Sequence, residues 1–220
     1  MQDRGWRIDQ YQREAAACTL CRDAGLLHRE TDGRWAYPLF HRGTACASGV
    51  LIVAEAPNHD DTYHPKKGRL TCDPDTDPSG RFLFELLGAV GLRPGDVLFT
   101  NTVLCLPAPK DGKHPVTSAP AKQCLVWLER LIRDVEPGVV VALGGKALEA
   151  LARIERHRLE LHTGAGRLHS WFGRRLLPLY HPSLLGRVSR PEAQQRADIQ
   201  ALRPYLVEQG WPSPAATAAP

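Results

Sequence analysis

The stretch 51–58, LIVAEAPN, constrains this chain more than any other. Four apolar residues, Leu51, Ile52, Val53 and Ala54, run together and stop at a carboxylate, a proline and an asparagine. A run this short, ended by turn residues, predicts a strand buried on both faces. In an open parallel sheet, ligands bind in the crevice beyond the carboxyl ends of the strands. Glu55 is therefore expected in that crevice, with Pro57 holding the turn that aims it.

The remainder of the chain repeats the pattern. After the first strand, at about 50–56, a long polar segment (NHDDTYHPKKGRLTCDPDTDPSG) reads as a loop. Loops beyond about 12–15 residues are uncommon in compact domains and are usually functional or disordered; the definite order on either side favours function. Ser79 is the expected N-cap of a helix in which Phe82, Leu86 and Leu87 repeat at helical spacing, and Gly91 closes it. VLFTNTVLCL (97–106) reads as a second strand, with the polar Asn101 in its middle as either a structural amide or a base-reading one. A polar loop follows at 107–118, then a helix at 119–135 with Cys124 in its first turns. VVVALG (139–144) is a third strand.

Gly144, Gly145 and Lys146 open a further helix. They are not a phosphate-binding P-loop, because Lys146 is followed by Ala147 rather than Ser or Thr. The polar 155–173 segment carries His157, His162 and His169 without metal-binding spacing, so they are assigned to the surface. RRLLPLY (174–180) is a last strand running into HPSLLGR, and a final helix covers about 191–209. This alternation predicts an α/β fold: a three-layer α/β/α sandwich around a central, mostly parallel four-stranded sheet. Residues 1–211 are expected to form one domain, with 1–45 as an N-terminal segment and 212–220 as a disordered tail.

Charge and apolar content narrow the function classes. No apolar run approaches the roughly 18 residues of a membrane span, and the polar N-terminus has no signal-peptide core. A cytoplasmic protein without a membrane partner is expected. The formal charge of +4 permits nucleic-acid binding without requiring it.

Six cysteines in such a chain argue against a disulfide framework. Cys18 and Cys21 form a CxxC on one face near the end of a first helix, with Gly25 as a stop signal. Cys105 and Cys124 lie after the second strand and in the next helix. Cys46 and Cys72 stand alone, and Cys46 reads as a small buried filler. Tetrahedral zinc and an iron–sulfur cluster both use four thiolates, and spacing alone leaves the choice open.

In order along the chain, the motifs are Ala54-Glu55-Ala56-Pro57-Asn58, then Asn101-Thr102-Val103-Leu104-Cys105, Cys124, PGVVVALG and His181-Pro182-Ser183. This ordered set, covering most of residues 15–207, resembles the iron–sulfur branch (families 4 and 5) of the uracil-DNA glycosylase superfamily. The resemblance implies that Cys18, Cys21, Cys105 and Cys124 ligate a [4Fe–4S] cluster with a structural role. It implies a monofunctional glycosylase, acting in base excision repair, that hydrolyses the N-glycosidic bond of uracil or a related deaminated base in DNA. Glu55, His181 and Asp61 would be catalytic, and Asn101, Ala54, Asn58 and Ser183 would bind the substrate nucleotide. Leu184 and Leu185 would wedge into the duplex, with Arg187, Lys110 and Lys113 at phosphates. Core packing is the alternative for the two leucines. A monomer, associated with the nucleoid when acting, is the expected state.

The chain departs from the family pattern in two places. Asn58 replaces a glycine. The segment that normally carries the base-stacking aromatic reads GRLTC, which leaves Tyr63 or Phe82 for that role and leaves the choice of lesion open. His114 occupies the loop in which a related branch traps its product, but the basic run of that branch is missing. The alternative readings are a non-catalytic iron–sulfur nucleic-acid-binding module on the same fold and a zinc-stabilised hydrolase of free nucleotides.

Overall fold

The computed structural model describes residues 2–40, 46–59, 62 and 77–212. Its centre is a sheet of strands β1 (Val50–Ala54), β2 (Leu98–Asn101), β3 (Val139–Leu143), β4 (His169–Trp171) and β5 (Arg174–Leu179), in the order β2-β1-β3-β5-β4. The four expected strands are mutually parallel. A fifth, β4, adds antiparallel to the β5 edge, so the sheet has five strands rather than four. Every residue of β1 and β3 is buried, as continuous apolar runs require.

Side chains alternate across β1 and divide the core in two. Leu51 and Val53 pack on one face with α1 (Gln2–Ala16), α4 (Ser118–Val135) and α5 (Gly145–Ile154). Val50 and Ile52 pack on the other with α3 (Pro78–Gly88), α8 (Glu192–Ile199) and α9 (Arg203–Glu208). The result is three layers, α/β/α. The remaining short helices are α2 (Leu20–Asp23), α6 (Leu161–Gly164) and α7 (Leu184–Ser189).

Local chemistry moved several boundaries. The Asp77 carboxylate, not Ser79, caps α3: it accepts from the Ser79 N–H at 2.9 Å, and Pro78 takes the first turn, where no N–H is needed. β2 stops at Asn101, well short of 106. Its continuation still follows β1, with Thr102 N–H donating to Ala54 O at 2.8 Å and Val103 N–H to Glu55 O at 3.1 Å, and then bends away. The final helix is broken into α8, a 3₁₀ turn at Gln200–Leu202 and α9, because Pro204 in the first turn of α9 has no N–H to continue the ladder. The first helix ends at Ala16, so Cys18 lies in the break and Cys21 on α2, and the two do not share one helical face. Gly25 does close α2, at φ +68°. The 59–78 loop lies mostly outside the described residues, as do Asp61, Tyr63 and Cys72, and so does the 212–220 tail beyond Pro212.

Candidate active site

The parallel order places a topological switch point between β1 and β3, since the chain leaves β1 toward one edge for β2 and returns past it to β3. An open α/β sheet binds ligands at the carboxyl end of such a point. A cleft of about 1020 Å³ opens there. It is walled by Glu55 through His59 after β1, Gly144 to Lys146 after β3, Tyr180, His181 and Ser183 after β5, and Lys113 and His114 from the 107–117 loop.

Glu55 is half-buried. Burial pushes its carboxyl above the usual range, against a hydrogen bond from the Val116 N–H and the charge of Lys146, which both favour the ionised form. Its own carbonyl accepts from Thr102 Oγ1 at 2.6 Å, which fixes the turn that carries it.

Across the cleft, burial lowers the pKa of His181, opposed by the charge of Asp77, so the imidazole is kept neutral. The Ser183 N–H donates to His181 Nδ1 at 3.2 Å. That bond assigns the proton of the neutral ring to Nε2, making Nε2 a donor. Gly186 lets α7 sit against this residue: a methyl at 186 would overlap the His181 carbonyl oxygen. Ser183 is the N-cap of α7, its Oγ accepting from the Gly186 N–H at 3.3 Å.

Asn101 is aligned with Ala54 across β1 and β2, beside the start of the Glu55 turn. It is only 1% exposed, does not line the cleft, and among the described residues neither end of its amide has a partner. A buried orphan amide is expensive and marks a place where a polar group is held for a reason other than stability.

Leu184 and Leu185 are 73% and 77% exposed, which excludes the core alternative; with Val188 they form an apolar face on α7 next to the cleft. Arg187 turns inward, its guanidinium 2.7 Å from Glu192 and stacked on Phe82. Phe82 is a core residue, 4% exposed beneath Arg187 and Arg196, and is not available to stack on a base. Lys110 and Lys113 are exposed and pair across a two-residue turn of Asp111 and Gly112, both at positive φ, which is the geometry an Asp-Gly pair favours. Lys146, set aside by the sequence as a helix-opening residue, lies at the cleft mouth near Glu55. Its only advance signal was its place three residues beyond the end of the third strand.

Cys18, Cys21, Cys105 and Cys124 line one small pocket between α1, α2, α4 and the chain after β2. Burial, and then the neighbouring sulfurs, push the Cys105 thiol up. Burial likewise raises Cys124, to about 12, despite the Leu104 N–H that donates to its sulfur at 3.3 Å. Two sulfurs on one zinc ion, each at about 2.3 Å, stand no more than about 4.6 Å apart. Among the described residues, no three of these four sulfurs lie within 4.8 Å of one another. That spacing does not fit a single zinc ion, and four cysteine thiols are the donor set that an iron–sulfur cluster uses. Cys46 is fully buried elsewhere, bonded to Val50 O, as a filler residue would be.

The Uracil DNA glycosylase superfamily model matches residues 40–205. The chain belongs to that superfamily. It is 28% identical over 153 residues to the type-4 uracil-DNA glycosylase of Archaeoglobus fulgidus, covering 66% of this chain and 70% of that one. It is 33% identical over 112 residues to the type-4 uracil-DNA glycosylase of Pyrobaculum aerophilum, a match spanning about half of each. Membership makes the chain a hydrolase of the uracil-DNA glycosylase type. The family match begins after Cys18 and Cys21, so that pair is placed by the fold of this chain rather than by the matched region. No helix among the described residues is long and apolar enough to cross a membrane.

Proposed function

We propose that the protein is a monofunctional DNA glycosylase that removes uracil, or a closely related deaminated base, from DNA by hydrolysis, in base excision repair. The observation that carries this is the pairing, in one cleft, of a carboxylate with a neutral histidine whose Nε2 holds the proton. Departure of the base leaves an oxocarbenium-like sugar and a uracil anion. The two charges of that transition state need opposite partners, and the cleft supplies both.

His181 Nε2–H donates to the base oxygen on which negative charge develops. A pre-set donor of this kind is worth about 10²–10³ in rate. Glu55, ionised, orients the attacking water and takes its proton as the water adds to C1′; the released base leaves as the anion held by His181 and is protonated from solvent. The Asn101 amide reads the flipped base edge, since one amide offers both donor and acceptor. The opening needed to reach it belongs to the flipping step. Ala54 and Asn58 border the base, and Asp61 supports the water. Ser183 meets the phosphate next to the flipped nucleotide. Leu184 and Leu185 fill the space it vacates, as apolar wedges do in distorted DNA. Lys110, Lys113 and Arg187 contribute to phosphate contacts, the first two from an exposed turn.

We place a [4Fe–4S] cluster on Cys18, Cys21, Cys105 and Cys124. The group would supply a cross-link between the N-terminal segment and the sheet, and its positive iron would stabilise thiolates that burial alone disfavours. Residues 1–211 then act as one catalytic domain, with no Schiff-base lyase step, because no lysine is placed by motif as an amine nucleophile.

Alanine at Glu55, Asn101 and His181 tests the reading. Excision should fall by orders of magnitude while affinity for undamaged DNA holds. Unchanged excision in all three would remove the site from the chemistry. Loss of DNA affinity, without excision by the parent protein on any deaminated base, would make this a binding module instead.

A further inference from the structure

A second cluster of ligand-type side chains lies at the rim of the cleft, away from the four cysteines. His28 and Glu30 are two apart on an extended segment, so they project to the same side. That segment is held by the Leu27–Pro107 bridge, by His28 N–H donating to Leu106 O at 3.1 Å, and by Glu30 N–H donating to Arg34 O at 2.8 Å. His59 arrives from the turn after β1, and its Nε2 stands 2.5 Å from Glu30 Oε1. One ligand atom from each of His28, Glu30 and His59 lies within 4.8 Å of the other two, the only such group among the described residues.

A third imidazole packs against the set. The His114 ring is 4.9 Å from that of His28 and 6.3 Å from that of His59, centre to centre. His114 Nδ1 is 2.8 Å from the Pro107 carbonyl oxygen, which can only accept. His114 Nδ1 therefore carries the proton and Nε2 keeps the lone pair. Imidazoles that bind metals are oriented in this way, with the far nitrogen donating to a backbone carbonyl.

We propose that His28, Glu30 and His59 form a binding site for one divalent d-block cation, with the His114 ring packed against it. Two imidazole nitrogens and a carboxylate oxygen suit Zn²⁺, and the neighbouring dications follow in their usual affinity order. An ordinary ion pair accounts for Glu30 and His59 but gives no reason for two further imidazoles to converge on them, where their partial positive edges would crowd. Bound metal would join the 27–36 turn to the chain after β1, beside the 107–117 loop. His59 and His114 both wall the cleft, so the ion would brace that edge of it. This site is independent of the glycosylase reading and of the cysteine pocket.

The test uses full-length protein with its iron content measured, titrated with Zn²⁺ by calorimetry and studied by X-ray absorption at the zinc edge. The site predicts one saturable equivalent with nitrogen and oxygen ligands, imidazole scattering and no sulfur. His28→Ala, Glu30→Gln and His59→Gln should each weaken binding at least tenfold with iron content and circular dichroism unchanged, and His114→Ala should weaken it less. Zinc should slow proteolysis in 27–36 and 107–117 of the parent and not of His59→Gln. Absence of saturable binding, sulfur in the zinc shell, or undiminished affinity in Glu30→Gln and His59→Gln would each overturn the proposal.

Discussion

Replacing Asn101 with leucine separates stability from function at one side chain. Leucine has the same branching at Cγ and nearly the same outline, so the change swaps two polar atoms for methyl groups without opening a large cavity. In the native chain both amide ends are buried and unpartnered among the described residues, and an unmet buried polar group costs about 1–3 kcal/mol. Asn101→Leu should therefore stabilise the free protein by about 1–3 kcal/mol. For a chain of this size that corresponds to a rise of about 2–12 °C in Tm. Excision should fall by about 10²–10³, the loss expected when one pre-set polar partner of the reacting base is removed. Differential scanning calorimetry and single-turnover excision on the same preparations measure both. A drop in stability of 1 kcal/mol or more would show that the amide is a structural hydrogen-bonding group and would refute the reasoning.

Three other changes probe separate parts of the site. In the proposed reaction Glu55 acts ionised, and burial raises its pKa, so kcat/KM should climb with pH through a limb above the ordinary carboxylate range. Glu55→Gln should remove that limb and lower kcat by about 10²–10⁴, whereas a limb at the usual carboxylate value would contradict the burial argument. Leu184→Ala with Leu185→Ala should cut excision from duplex DNA more than from single strands, and both residues are exposed enough that the unfolding free energy from urea titration should move by no more than about 0.5 kcal/mol. Cys124→Ser should abolish bound iron and visible absorbance and lower Tm, while Cys46→Ala keeps both iron and colour; iron retained in Cys124→Ser would remove this residue from the ligand set.

The sheet was legible because β1 and β3 are buried throughout and β5 over its last four residues. LIVA, VVVAL and LLPL announce themselves as apolar runs, and a polar residue one to three positions beyond each run then falls at the carboxyl edge. Glu55, Lys146 and His181 reach one cleft for that reason. The edge strand β4 was not legible. It is three residues long and turns into β5 through Phe172 and Gly173, both at positive φ. Turns of that type usually carry Asn or Asp at the first position. Here Phe172 takes the position, beneath the guanidinium groups of Arg133 and Arg174, and no local signal marks the hairpin. The broken final helix could have been read from Pro204, whose missing N–H outweighed an otherwise helical pattern. The convergence of His28, Glu30, His59 and His114 had no sequence signature, because it is assembled from three loops held together by the chain after β2.

In the proposed reaction this cleft breaks the bond between deoxyribose and a deaminated base. The direct test is incubation of the iron-loaded protein with an oligonucleotide carrying one deoxyuridine, single- and double-stranded, with free base and abasic sites measured separately. Uracil should be released with an equal yield of abasic DNA that breaks only on alkaline treatment, and His181→Ala should lose nearly all of both. Intact DNA from folded, iron-loaded protein with uracil, hypoxanthine and xanthine substrates alike, or strand cleavage without alkali, would contradict it.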